Sequence, residues 1–251
     1  MKIQSKTELI IKNPDGTKEI SSLNVVTYLN DKGQPIKTES WEGDEHHVAT
    51  YTYDKNGRLV RYYSYPSEDN HYYKKDDEGN QVEIIESDKG SDKWERVIVT
   101  SEEGNPIYEA SQVYYESEDG GLNMEPELQF EVERKFCDGV LVSEKGGELI
   151  GPLWVDYETN YTYRKEGDKE ITESVKTYEN GKVETFVKTV IKDEKGREIE
   201  VRDEENGKEF HVKRVVYESD NRWTESEYGF VASDYNPVDY EYTGKFERVE
   251  D

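Results

Sequence analysis

The amino-acid sequence predicts an all-β protein of tandem antiparallel hairpins, and two observations support this fold class. The first is a turn with a fixed pattern that recurs along the chain between β-prone segments. The second is the composition, because the 251 residues include 20 tyrosines and 4 tryptophans, types that are enriched in strands. An apolar i, i+3, i+4, i+7 pattern never persists over the ~11 residues that a helix requires. We therefore expect negligible helix.

The recurring turn has four residues and ends in glycine. Its first residue is Asn, Asp or Ser, whose side chain accepts hydrogen bonds from the following N–H groups. Glycine in the fourth place adopts the left-handed conformation that closes a bulged hairpin. The copies are 30–33, 54–57, 76–79, 101–104 and 193–196, and the first four glycines are 24, 22 and 25 residues apart. Such a period is typical of stacked supersecondary units, and Asn180-Gly181 and Asn206-Gly207 are two further hairpin signals.

One copy of the turn resembles a known repeat. Residues 51–59 read Tyr-Thr-Tyr-Asp-Lys-Asn-Gly-Arg-Leu, which is similar to the YD repeat, Tyr-x-Tyr-Asp-x-x-Gly-Arg-Leu. YD repeats build the coiled β-sheet shells of rearrangement-hotspot (Rhs) and teneurin proteins. The other copies keep the turn but lose the tyrosine pair or the Arg-Leu. The resemblance implies a curved, single-layer or half-open repeat sheet, in a chain too short to enclose a shell.

The periodicity weakens between residues 112 and 160. Gly-Gly pairs at 120–121 and 146–147 and a Gly-Pro at 151–152 indicate loops there. The sequence thus predicts N-terminal YD-like hairpins over 1–111, an irregular acidic insertion over 112–160 and C-terminal hairpins over 161–251. One continuous domain is equally compatible with the pattern.

The net charge restricts the partners and the location. A formal charge of -25 is opposite to the field of a phosphate binder, which argues against nucleic acid and against attraction to anionic lipid. The chain starts without the apolar core of a signal peptide, and its single cysteine, Cys137, mildly favours a reducing compartment. We therefore expect a cytoplasmic protein without membrane contact, although a chain from which an export signal has been removed would look the same.

Acid is concentrated in two segments that contain no Lys or Arg. Residues 97–133 hold ten carboxylates and residues 223–244 hold five. Tyrosines interleave with the acids, and tyrosine is enriched in binding hot spots, while complementary charge steers a basic partner. The alternative is a surface that only confers solubility. The predicted partner-binding residues are Tyr114, Tyr115, Glu116, Glu118, Asp119, Asp234, Tyr235, Asp239, Tyr240, Glu241 and Tyr242.

Motifs that carry chemistry are missing from the sequence. There is no Gly-x-Ser-x-Gly elbow and no phosphate-binding loop. His46 and His47 would point to opposite faces of a strand, so they cannot share one metal ion. The position five residues before each aligned glycine lacks the aspartate of an EF-hand. The sequence therefore predicts that the protein is not an enzyme and has no cofactor or metal site.

These features favour an acidic protein–protein interaction module, most concretely an immunity-type inhibitor that neutralises a basic, nuclease-like toxin. The resemblance adds a contextual reason, because Rhs proteins deliver toxins that need cognate immunity proteins. One alternative is an exported or cell-surface repeat protein with a structural or adhesive role. Another is a carbohydrate-binding sheet protein, whose stacking platforms would be Trp41, Trp94, Trp154 or Trp223.

Overall fold

A computed structural model describes residues 1–12, 17–89, 92–115, 126–231 and 238–249. The first nine strands are β1 (Lys2–Lys12), β2 (Lys18–Leu29), β3 (Pro35–Glu42), β4 (Glu45–Tyr53), β5 (Leu59–Ser64), β6 (Ser67–Lys75), β7 (Gln81–Lys89), β8 (Asp92–Thr100) and β9 (Pro106–Tyr114). The next nine are β10 (Glu127–Cys137), β11 (Val140–Ile150), β12 (Leu153–Glu166), β13 (Lys169–Tyr178), β14 (Val183–Lys192), β15 (Glu198–Glu205), β16 (Lys208–Ser219), β17 (Arg222–Val231) and β18 (Val238–Val249). In these ranges no helix is long and apolar enough to cross a membrane.

The described strands belong to one sheet, in which neighbours along the chain are also neighbours in the sheet. The first strand pairs with the last: β1 runs antiparallel to β18, with Lys2 opposite Val249. On its other side β1 pairs with β2, where Lys2 lies opposite Tyr28. Hydrogen bonds therefore connect the 18 strands in a closed antiparallel order. The all-β prediction is confirmed, but the predicted open or half-open repeat sheet is wrong.

The stretch predicted as an irregular insertion, residues 112–160, is mostly strand where it is described. It contains β10, β11 and the first part of β12, which continue the hairpin order. Gly146 and Gly147 suggested a loop, yet both lie inside β11. The prediction of irregular structure is therefore wrong from residue 127 onward, while the domain boundaries at 111 and 161 stay a prediction.

The recurring turn has the predicted geometry. At residues 54–57, the N–H of Gly57 donates to the carbonyl of Asp54 at 3.0 Å, and Gly57 has a φ of 84°. The Asp54 Oδ1 accepts the N–H groups of Asn56 and Arg58 at 2.8 and 2.9 Å. The same backbone bond and a left-handed glycine recur in the copies that end at residues 33, 79, 104 and 196. The prediction of glycine-closed hairpins is therefore confirmed.

In two copies, the arginine that follows the glycine ties the turn to a tyrosine on a later strand. Arg58 lies 2.7 Å from Asp54 Oδ2, and its guanidinium stacks 4.3 Å from the ring centre of Tyr73. Arg197 repeats the arrangement, 3.9 Å from the ring centre of Tyr217. Bonds from the Arg58 backbone and side chain keep the pKa of Asp54 below its usual value. This gives the Asp-x-x-Gly-Arg pattern a structural role, while membership of the YD-repeat family stays a prediction.

Replacing Gly57 with valine is expected to lower the free energy of unfolding by roughly 1 kcal/mol or more, because a β-branched residue is disfavoured at positive φ. Chemical denaturation measures the change. Gly57→Asn is the matched control and should cost less, since asparagine tolerates the left-handed region. Equal midpoints for the valine variant and the parent would contradict the assigned role of Gly57.

The chain divides into two compact units. Unit 1 comprises Met1–Ala49, Tyr163–Glu173 and Thr185–Asp251, and unit 2 comprises Thr50–Thr162 and Ser174–Glu184. Valines are the most deeply buried side chains of each: Val212 of unit 1 is 1% exposed and Val113 of unit 2 is 0% exposed. Many other strand positions are half-buried polar residues. Tyrosine rings and ion pairs thus supplement a small aliphatic core.

Unit 2 buries a carboxylate among the valines. Glu109 on β9 is 7% exposed and accepts hydrogen bonds from Arg96 Nε at 2.8 Å and from Arg134 Nη2 at 2.9 Å. Arg134 also lies 3.6 Å from Glu144. A carboxylate from the stretch without basic residues is therefore neutralised by arginines of the neighbouring strands β8 and β10.

Candidate ligand-binding surface

In unit 1, strands β17 and β18 each present two different faces, because successive side chains of a strand alternate between the sides of a sheet. On β17, Ser226 and Tyr228 are exposed, whereas Trp223 is half-buried and Gly229 is buried. We call the first side the exposed face and the second the packed face. The exposed face carries four cross-strand pairs: Arg222–Glu247, Thr224–Lys245, Ser226–Thr243 and Tyr228–Glu241.

Aromatic rings fill the packed face. Trp223 stacks on Phe246 with ring centres 5.3 Å apart and planes within 6°. Gly229 has no side chain, so the ring of Tyr240 lies across β17; a Cβ at this position would be 2.6 Å from the tyrosine hydroxyl. Rings from β18 thus pack against their own sheet.

A row of polar groups lies beside these rings. His211 is held between Asp203, 2.7 Å from Nδ1, and Glu227, 3.3 Å from Nε2. The Tyr240 hydroxyl donates to Glu227 at 2.8 Å, and burial together with this bond raises the pKa of Tyr240 to about 12. In the described part of the chain, no group of three or more His, Cys, Asp or Glu residues is arranged to hold a metal ion. The row is a polar network whose members bind one another.

A cavity of about 470 Å³ opens beside Tyr228. Its aromatic lining includes Phe210 and Tyr228, and its hydroxyl lining includes Ser226 and Thr243. The charged residues that line it are Glu209, Arg214, Glu227 and Glu241. A ring surrounded by donors and acceptors of hydrogen bonds can bind a ligand that is itself both flat-faced and polar.

Ion pairs hold the Tyr228 ring in place. Its hydroxyl donates to Glu209, which also accepts a 3.4 Å bond from Arg202. Arg202 and Arg214 share the carboxylate of Glu200, at 2.6 and 2.8 Å. The bond to Glu209 raises the pKa of the Tyr228 hydroxyl, so the ring stays neutral, and it is 39% exposed. The network therefore fixes a neutral aromatic ring at the surface.

A second cavity, of about 560 Å³, is lined by residues farther along the same face. The cross-strand row Thr224, Lys245, Lys6 and Asn24 contributes to its lining, and these residues are successive neighbours across β17, β18, β1 and β2. The lining of the two cavities extends along β17 from Tyr228 to Arg222. This distance is six residues, which is about 20 Å at the usual rise per residue of a strand. The exposed face therefore offers an elongated, polar surface.

The predicted partner-binding residues at 234–242 are divided between the two faces. Glu241 lies on the exposed face and lines the first cavity. Tyr240 and Tyr242 border that cavity, but they are half-buried and belong to the packed face. Asp234 and Tyr235 fall outside the described residues, as does the side chain of Asp239.

Two tyrosines of the other predicted stretch lie in unit 2, at the end of β9. Tyr114 is half-buried and its hydroxyl accepts a bond from Gln112 at 3.0 Å. Tyr115 is 43% exposed, and a hydrogen bond with Glu127 raises the pKa of its hydroxyl. Tyr114 borders a cavity of about 350 Å³. Glu116, Glu118 and Asp119 fall outside the described residues.

The residues of the exposed face that sequence reasoning missed are Tyr228, Arg214, Lys6 and Lys245. Alternation along β17 was the signal available, but Glu225 and Glu227 make the packed face polar as well. Charge alone therefore does not distinguish the two faces of this strand.

Comparison with known proteins shows no family. No family model matches the sequence, and no curated protein matches it. The solved structures with similar backbones include the outer membrane protein OmpT of Vibrio cholerae, 11% identical over 98% of this chain and 96% of that one, with a TM-score of 0.32. A loop L8 deletion mutant of it is 10% identical over 98% of both chains, with a TM-score of 0.33. The β domain of the Bordetella autotransporter BrkA has a TM-score of 0.19 at 9% identity over 98% of both chains.

These findings correct several predictions. A closed sheet, with outer membrane proteins among the matches, contradicts a cytoplasmic immunity-type inhibitor of a basic toxin. It equally contradicts the predicted cytoplasmic location and the absence of membrane contact. We withdraw these predictions. At such identities and TM-scores, the matches assign neither a function nor a location to this chain.

Proposed function

We propose that the protein is a non-catalytic binding protein and that the exposed face of β17 and β18 holds an extended saccharide chain. The observation that carries the proposal is the Tyr228 ring, which Glu209 holds beside the first of two cavities that follow each other along β17. Sugar rings have C–H faces that pack on aromatic rings, and their hydroxyls pair with side-chain donors and acceptors.

Side-chain chemistry supports a saccharide rather than a folded protein as the ligand. Hydroxyl and amide groups alternate with charged groups on this face, and Tyr228 is its exposed ring. Protein interfaces instead concentrate several apolar or aromatic anchors at their centre. A ligand with many hydroxyls fits the mixed donor and acceptor lining better.

The strand pairing argues against an added peptide strand. Adding a strand requires a sheet edge with unpaired N–H and C=O groups. β17 pairs with β16 and β18, and β18 pairs with β17 and β1. Backbone groups on both sides of this surface are therefore used within the sheet, and recognition has to come from side chains.

Affinity electrophoresis through gels that contain single soluble polysaccharides tests the proposal. The parent protein is expected to be retarded by at least one polymer. Tyr228→Ala should weaken that binding about tenfold, the effect of losing roughly 1.4 kcal/mol of ring stacking. Tyr228→Phe should retain most of the affinity, because it keeps the ring.

Tyr72→Ala is the matched control, since Tyr72 is 51% exposed on unit 2. It should bind like the parent. Absence of retardation by every polymer, or equal losses in the Tyr72 and Tyr228 variants, would rule out saccharide binding at this face.

A further inference from the structure

The exposed face holds two lysines directly opposite each other. Lys6 on β1 and Lys245 on β18 are register partners, and both are exposed. Like charges placed opposite on adjacent strands are destabilising, since their Cβ atoms are about 4.5–5.5 Å apart. In a chain with a net charge of -25, such a pair requires an explanation.

Among the described residues, the nearby carboxylates form no ion pair with either lysine. Glu247 lies two residues from Lys245 on the same face, but Arg222 binds it at 2.6 Å. Within the described ranges, neither Lys6 nor Lys245 forms an ion pair or a side-chain hydrogen bond. The contrast with Lys37, Lys176 and Lys192 is clear, because each of these lies within 2.8 Å of a glutamate.

The surroundings of the pair are those of a ligand site. Both lysines line the 560 Å³ cavity, together with the amide side chains of Gln4 and Asn24, the guanidinium of Arg222 and the carboxylates of Glu218 and Glu247. Asn24 is the next cross-strand neighbour of Lys6, and Thr224 is that of Lys245. Two ammonium groups flanked by an amide and a hydroxyl are suited to a carboxylate, whose two oxygens accept several charge-assisted bonds.

From this juxtaposition we infer that the saccharide is anionic and that Lys6 and Lys245 bind the carboxylate of a uronic acid residue. The inference rests on the proposed function and adds the chemical class of the ligand. Tyr228 packs against one sugar ring, and the lysine pair holds a carboxylate farther along the chain. Two lysines that repel each other without a ligand are stabilised when the anion is bound.

Titration calorimetry with an oligogalacturonate and with its methyl ester tests the inference, because the two probes differ only at the carboxyl groups, which are anionic in the acid and neutral and methylated in the ester. A buffer near 0.15 M salt screens the acidic remainder of the protein beyond about 8 Å. We expect the free acid to bind about tenfold more tightly than the ester. The double variant Lys6→Gln/Lys245→Gln should abolish this preference, so that the acid and the ester bind with similar affinity.

Lys55→Gln/Lys74→Gln, two exposed lysines of unit 2, is the charge-matched control and should keep the preference. Equal binding of acid and ester by the parent would overturn the inference while leaving saccharide binding in place. Failure of both probes and of every polymer in the electrophoresis would overturn both proposals. Thermal unfolding provides a second measurement: a double variant less stable than the parent would show that the lysines serve the fold, which also overturns the inference.

Discussion

Replacing Gly146 with alanine is expected to lower the free energy of unfolding by about 3 kcal/mol, because the added methyl group has no room. A Cβ at this position would be 2.1 Å from the carbonyl oxygen of Glu131 and 2.9 Å from the Cα of Val132. Both obstacles are backbone atoms of β10, so a change of side-chain rotamer cannot relieve the contact. The two strands have to separate locally, at the place where Gly146 pairs with Val132. Urea denaturation followed by tyrosine and tryptophan fluorescence measures the loss.

Lys145→Ala is the matched control for this variant. It changes the neighbouring position of β11, where the side chain is exposed, and should leave the urea midpoint close to that of the parent. If Gly146→Ala unfolds at the parent's midpoint, the close approach of β10 and β11 at Gly146 is incorrect.

Replacing Arg134 with methionine should destabilise the protein by about 3 kcal/mol, because breaking a buried ion pair leaves the Glu109 carboxylate with one arginine partner instead of two. Arg134 bonds the carboxylate of Glu109 at 2.9 Å and lies against Glu144, and its own side chain is 19% exposed. Arg96 remains on the other oxygen of Glu109, which keeps the loss toward the lower end of the range for buried pairs. The free energy of unfolding in urea is the measurement.

Two further variants test whether the loss of stability in Arg134→Met comes from breaking the buried ion pair. In the double variant Glu109→Gln/Arg134→Met a neutral amide replaces the buried carboxylate that has lost one of its two arginines, so it should recover part of the loss. Arg222→Met removes the exposed pair with Glu247 and should change the stability little, as is usual for exposed ion pairs. Equal losses for Arg134→Met and Arg222→Met would mean that burial does not strengthen the Glu109 pair.

The location of the charge illustrates a limit of sequence reasoning. Residues 97–133 contain no Lys or Arg, and this suggested repelling carboxylates that a basic partner would have to neutralise. In the sheet, Glu109 is bound by Arg96 and Arg134, which lie just outside that segment along the chain. Similarly, Glu225 lies 2.9 Å from Lys213 on the neighbouring strand β16. The ion-pair partners of these carboxylates lie on neighbouring strands of the sheet and not within the same segment of the chain. The net charge of a segment therefore did not predict the charge of the surface to which it contributes.

The candidate surface was predicted only in part for a related reason. The prediction treated Tyr240, Glu241 and Tyr242 as one site, yet strand alternation places the tyrosines on the packed face and the glutamate on the exposed face. Tyr228 was missed because Glu225 and Glu227 make the packed face of β17 polar as well, so alternation along the strand did not show which face is exposed. Which of these side chains share a face is decided only when β17 and β18 have paired.

The sequence by itself determined the local structure: an all-β chain whose hairpins are closed by turns such as Asp54–Gly57, since a capping side chain and a left-handed glycine act within four residues. Only the tertiary structure decided that β1 pairs with β18, that Arg134 neutralises Glu109 and that Lys6 faces Lys245. These contacts join residues far apart in the chain, and each depends on the register of strands that carry polar residues on both faces. With little difference in hydrophobicity between the faces, the sequence pattern specifies register weakly, and the hydrogen bonds of the closed sheet set it instead.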